Sequence, residues 1–136
     1  MKTIAESALN IRGLTRYIDD LPEPKDCLQG AVKLSESAHG RILGIDAAKA
    51  LALDPSVIVV TAKDVPGENQ IGANKPDELL LPENEWEYWG QPLVLVLART
   101  RSLARKAASL VELEGENLPA VTDPRESSSA TAIERL

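Results

Sequence analysis

The chain has 136 residues, 43% of them hydrophobic and 26% charged, with a formal net charge of −6. That is one domain's worth of protein with an ordinary core, too apolar to be disordered and too acidic to bind a phosphate backbone. A single cysteine, Cys27, and a single histidine, His39, exclude an internal disulfide and any Cys- or His-rich metal centre within the chain.

Residues 1–10 are weakly patterned, carry no signal-peptide signature and are expected to lack fixed structure. No apolar run reaches the roughly 18 residues of a membrane span. A soluble cytoplasmic protein with neither a nucleic-acid nor a membrane partner is expected. Gly13 then introduces Leu14-Thr15-Arg16-Tyr17-Ile18-Asp19-Asp20-Leu21-Pro22, where Pro22 and Pro24 force an extended or turning path.

Cys27 to Ser35 reads as a strand, with Gly30 and Ala31 breaking clean alternation, and Arg41 to Ile45 as a second. Asp46 stands as an N-cap before an alanine- and leucine-rich helix over residues 47–53, stopped by Asp54-Pro55. Val57 to Thr61 is a continuous β-branched run, the pattern of a strand buried on both faces. Residues 67–85 read as a long exposed connection with one short strand over Glu78 to Leu81.

Trp86-Glu87-Tyr88-Trp89 alternates bulky and polar residues, and Gly90-Gln91-Pro92 turns into Leu93 to Ala98, the strongest strand pattern in the chain. Thr100 caps a helix through Ser109 with Leu103, Ala107 and Leu110 on its inner stripe and Arg101, Arg105 and Lys106 outside. Val111 to Glu114 reads as a last strand broken by Gly115-Glu116-Asn117, after which Leu118 to Val121 packs back. From Thr122 the composition is that of a tether. Two helices among several strands predict an α+β fold.

The chemistry-bearing residues do not assemble a site on spacing alone. Asp19 and Asp20 are neighbours in an extended segment, so their carboxylates diverge, and turn chemistry with a salt bridge to Arg16 is favoured over metal binding. His39 has no partner spacing for a triad and is expected to hydrogen-bond backbone in the Ser37-Ala38-His39-Gly40 turn. Cys27 reads as a small apolar filler, and Gly90-Gln91 precedes a strand, the wrong order for a phosphate loop. Two rivals to a purely structural role are a stand-alone binding module, using residues 67–89 and the aromatics Trp86, Tyr88 and Trp89, and a small hydrolase built on His39.

Several of these segments, in this order, resemble a known family. Residues 13–22, Ser37-Ala38-His39-Gly40-Arg41-Ile42, Ile45-Asp46, Thr61-Ala62-Lys63-Asp64-Val65-Pro66-Gly67, Gly90-Gln91-Pro92, and Leu118-Pro119-Ala120 with Asp123-Pro124 are similar to the opening of the molybdenum hydroxylases. That family is the one of xanthine dehydrogenase and aldehyde oxidase. The matched region is the N-terminal α/β-hammerhead domain of the molybdopterin-binding subunit.

The resemblance implies a mixed sheet with two helices and a projecting strand pair over residues 1–121, and a linker at 122–136 toward a downstream molybdopterin-binding region. It departs from the usual pattern at Asp54-Pro55-Ser56-Val57, at Trp89 and at Leu113-Glu114-Gly115. It implies no catalytic, cofactor or metal residue in this chain. Molybdopterin-bound molybdenum, iron–sulfur clusters and FAD are implied for the complete enzyme, whose downstream domains and redox subunits would be the partners. Arg16, Tyr17, Asp19, Asp20, His39 and Gln91, all in turns or at strand ends, are the candidates for inter-domain packing.

Overall fold

A computed structural model describes residues 6–74 and 77–125. Helix α1 spans Glu6–Ile11, within the stretch where the sequence shows no pattern. Six strands follow, β1 Gln29–Leu34, β2 Gly40–Asp46, β3 Ile58–Val60, β4 Glu85–Trp86, β5 Pro92–Ala98 and β6 Glu112–Asn117, with α2 at Ala48–Leu51 and α3 at Arg101–Leu110. They form two three-stranded sheets, ordered β1-β5-β3 and β4-β2-β6. The α+β class stands, although every ladder is antiparallel where a mixed sheet is expected.

Strand β5 is central because it is apolar at every position, and its residues Val94, Val96 and Ala98 are fully buried against the helices. Helix α3 begins where predicted, with the Thr100 hydroxyl accepting from Leu103 N–H at 3.2 Å. Its buried line is Ala104, Ala107 and Ala108, while Leu103 and Leu110 are only half-buried. The reason is size. Alanines bring the helix axis close to the sheet, so the leucines flank the contact instead of forming it.

Helix α2 is shorter than the predicted 47–53, and its N-cap is Ala47, which has no side-chain cap. Asp46 stands one position earlier and accepts from Ala48 N–H at 2.8 Å, closing the turn into the helix. Beyond α2, Asp54 accepts from both Ser56 N–H and Ser56 Oγ–H, at 2.8 and 2.6 Å, and turns the chain into β3. β3 is an edge strand paired only with β5, and Ile58 is 46% exposed, so the predicted burial on both faces is not met within the described residues.

The stretch Glu78 to Leu81 is not a strand. It is fixed by Asn69, whose side-chain amide donates to Leu81 O at 2.7 Å and accepts from Leu81 N–H at 3.1 Å. With one backbone bond beside it, from Ile71 N–H to Glu78 O at 2.8 Å, this amide mimics a ladder partner at Leu81, which is buried without a full strand pair.

Gly115-Glu116-Asn117 continues β6 instead of breaking it, pairing with Ile42, Arg41 and Gly40 of β2. The Trp86 indole requires this arrangement. A Cβ on Gly40 would lie 2.0 Å from Trp86 Cζ2, and one on Gly115 would lie 2.8 Å from Arg41 O and 2.9 Å from Trp86 Cη2. Both glycines are therefore sites of close approach to the ring. Trp86 is almost fully buried and joins the core cluster with Leu93, Val94, Val96 and Val111, against which Ile42, Ile45 and Leu113 of the second sheet also pack. One core thus serves both sheets.

Candidate functional site

The packing candidates fall into three places. Arg16, Tyr17, Asp19 and Asp20 share one exposed arm ahead of β1. Gly13, at φ +65°, allows the chain to leave α1, because only glycine adopts that conformation without strain. A single 3-10 turn, Ile18–Asp20, comes next, and the Asp20 carboxylate reaches back to accept from Tyr17 N–H at 2.9 Å.

Asp20 therefore closes a turn, as its position before Pro22 suggests. Among the described residues no ion pair links Asp19 or Asp20 to Arg16, because the 3-10 turn directs Asp20 to its own backbone. Ile11, Leu14, Tyr17, Ile18 and Leu21 are all exposed along this arm, Ile18 to 85%.

His39 immediately precedes β2. Its Nδ1 is 2.8 Å from Pro119 O, and a carbonyl only accepts, so Nδ1 carries the proton. Leu118 N–H donates to His39 O at 3.0 Å, so this residue holds the chain segment that leaves β6. Its Nε2 faces Glu85 Oε2 at 3.9 Å. Next to it, Arg41 joins three strands, with Nη2 3.0 Å from Glu85 on β4 and Nη1 2.6 Å from Glu116 on β6.

Ser37, the serine nearest to His39 in the turn, is engaged elsewhere. Its hydroxyl donates to Asn117 Oδ1 at 2.7 Å and accepts from the Trp86 indole N–H at 3.1 Å. No nucleophile–base pair forms at His39, and the hydrolase reading has no geometry to support it.

Gln91 is buried and faces inward. Its Oε1 accepts from Glu87 N–H at 2.7 Å, and its own N–H donates to Ser35 Oγ at 3.0 Å. The Ser35 hydroxyl in turn donates to Tyr88 O at 2.8 Å, while Ser35 N–H donates to Gln91 O at 2.9 Å. This closed set fixes the 87–91 turn, where Gly90 has φ +79°. Gln91 thus shapes a turn. Ser35, which no pattern in the sequence singles out, is its counterpart. The aromatic cluster is also divided, since Trp86 is core while Tyr88 and Trp89 are exposed, Trp89 to 70%.

The charged groups with displaced ionisation lie at the surface, where they close turns or join elements. Hydrogen bonds from Thr61 N–H and Oγ–H hold Asp64 below the usual carboxylate range. The Ser56 hydroxyl and amide do the same for Asp54. Lys49 is raised by its hydrogen bond and ion pair with Glu112, joining α2 to β6. None of these lies in a cleft with a second reactive group. The arrangement builds turns and joints.

Residues 12–119 match the family described as aldehyde oxidase and xanthine dehydrogenase, a/b hammerhead domain. The chain is 37% identical over 125 residues to xanthine dehydrogenase 1 of Arabidopsis thaliana, covering 92% of this chain and 9% of that protein. It is 39% identical over 117 residues to probable aldehyde oxidase 1 of Oryza sativa, covering 81% of this chain and 8% of that protein. Among solved structures, the aldehyde oxidoreductase of Desulfovibrio gigas superposes with a TM-score of 0.82 at 28% identity, over 94% of this chain and 15% of that one. The chain thus spans about a tenth of the length of the curated relatives it matches. With the motif order, the two-sheet architecture and these matches in agreement, the chain belongs to the a/b hammerhead domain family of aldehyde oxidase and xanthine dehydrogenase.

Proposed function

We propose that this chain serves as a non-catalytic structural domain, N-terminal in the molybdopterin-binding portion of a xanthine dehydrogenase-like molybdenum hydroxylase. In this reading the complete enzyme hydroxylates a purine or aldehyde carbon with oxygen drawn from water. Electrons leave through iron–sulfur clusters and FAD. Those groups and the molybdopterin-bound molybdenum sit on other domains or subunits, and the isolated chain is inactive. Residues 1–121 are the packing unit, and 122–136 connect it to the downstream molybdopterin-binding region.

Among the described residues no group of three or more His, Cys, Asp or Glu side chains gathers as a metal site, and Cys27 is exposed and alone. The described residues do not fit a molybdenum or iron–sulfur group.

The observation that carries the reading is the arm ahead of β1. It has a glycine-permitted turn and a carboxylate-closed 3-10 turn, yet Ile11, Leu14, Tyr17, Ile18 and Leu21 are left in solvent. A segment shaped in this way with its apolar side chains uncovered is suited to packing against another domain. Ile18→Asp combined with Asp19→Lys tests it, because neither side chain closes the turn. In the complete enzyme the pair is expected to reduce assembled, cofactor-loaded protein. Unchanged assembly and turnover would remove the arm from the docking surface.

A further inference from the structure

The β1-β5-β3 sheet has two faces of different fate. On one, Ala31, Val59, Val94, Val96 and Ala98 belong to or pack against the core beneath α2 and α3. The cross-strand register places Val32 opposite Leu95, which is opposite Val60, and Gly30 opposite Leu97, which is opposite Ile58. These residues alternate with the core-facing ones and so share the other face.

That second face carries no charged or polar side chain at these positions. Val32 is 45% exposed and Ile58 46%, while Leu95, Leu97 and Val60 are half-buried. A Cβ on Gly30 would meet Leu95 Cδ1 at 3.4 Å and Leu97 Cδ2 at 3.6 Å, so the two leucines lean over the glycine and close the patch into a continuous surface. Ile11 and Ile18 of the exposed arm do not cover it, since they remain 87% and 85% exposed.

We infer that this second sheet face is a docking surface, and that its occupant is an uncharged aliphatic surface of another domain of the same molybdenum hydroxylase. The inference rests on the reading of the chain as one domain of that enzyme, and it concerns a surface distinct from the arm. Two features of the chain favour that occupant. The runs Ile58-Val59-Val60 and Leu93 to Ala98 have the composition of strands covered on both sides, yet helices cover only one side here. The chain also spans 9% of xanthine dehydrogenase 1 and 15% of the Desulfovibrio gigas structure, so in relatives of that size most of the protein lies outside this domain. A second copy is a poorer occupant, because each copy carries a net charge of −6 and the face offers no group to offset that repulsion.

The test compares Val32→Asp and Ile58→Asp in two settings, the complete enzyme and this 136-residue chain alone. In the complete enzyme each is expected to lower the yield of assembled, cofactor-loaded protein by about tenfold or more, as a charge placed in a desolvated apolar contact does. In the chain alone each is expected to leave the melting temperature unchanged, because the positions are open to water, and to reduce non-specific association.

Normal assembly of the variant enzyme would overturn the inference. So would a drop in melting temperature of the chain alone, which would make the face part of the domain's own core. A discrete dimer of the chain alone, abolished by Val32→Asp, would assign the face to a second copy and likewise overturn it. Failure of the broader reading is separate, since it would appear as the lack of any larger protein containing this chain.

Discussion

Position 40 must be glycine because the Trp86 ring lies against the backbone there, and position 115 answers to the same ring and to Arg41 O. Gly40→Ala is expected to cost about 1–3 kcal/mol, the usual range for forcing volume into a packed site, measurable as a lower urea midpoint at unchanged slope. Ser35 is buried and joins Tyr88 to Gln91 through a hydroxyl that both donates and accepts. Ser35→Ala leaves Gln91 N–H and Tyr88 O only their long mutual contact at 3.4 Å and is expected to lose about 1–3 kcal/mol, again read by denaturant unfolding.

Asp64 gives a pH prediction. Its folded-state pKa lies below its unfolded value because Thr61 donates to the ionised carboxylate. Its contribution is therefore present above the unfolded value of about 3.9 and fades as pH falls through the lower folded value. Carboxyl NMR should show Asp64 titrating below a reference aspartate, and Thr61→Ala should move its midpoint upward. The Thr61 backbone N–H bond, the larger cause, survives in this variant, so a midpoint that does not move would refute only the hydroxyl's part of the shift. These residue-level roles were only partly legible in the sequence. The Thr100 cap follows from local spacing, as does the turn that Asp46 closes one residue ahead of the α2 cap, whereas Gly40, Gly115 and Trp86 meet across distant strands, which no local pattern reports. Gly115 looked like a strand breaker because a glycine for close approach and a glycine for a turn are identical in sequence.

At the level of elements, periodicity was most informative where the chain is most apolar. Strand β5 and helix α3 appear where the patterns place them, and Thr100→Ala should destabilise α3 by about 1 kcal/mol, visible as a small fall in melting temperature. Periodicity misplaced the inner line of α3, because hydrophobicity favours leucine while close packing favours alanine. It also predicted a strand at Glu78 to Leu81, where one backbone bond, Ile71 N–H to Glu78 O at 2.8 Å, and the Asn69 side chain stand in for a ladder. For β3 the composition was correct and the burial was not. The run demands two covered faces, and the described chain covers one. That mismatch is the physical ground of the proposed docking face.

At the scale of the whole molecule, two small sheets share one core and leave an apolar arm and an apolar sheet face uncovered. The candidate site was legible in the sequence as a set of turns and strand ends. Their division into inward and outward roles was not, because Gln91 and His39 find their partners up to 80 positions away. In the proposed reading such a molecule is a packing unit within a larger enzyme. The most direct measurement is the native size of the protein that carries it, by size fractionation of a cell extract probed with an antibody to this chain. A signal in a species several times heavier than 14.7 kDa is predicted. A 14.7 kDa polypeptide migrating alone would contradict the proposed role.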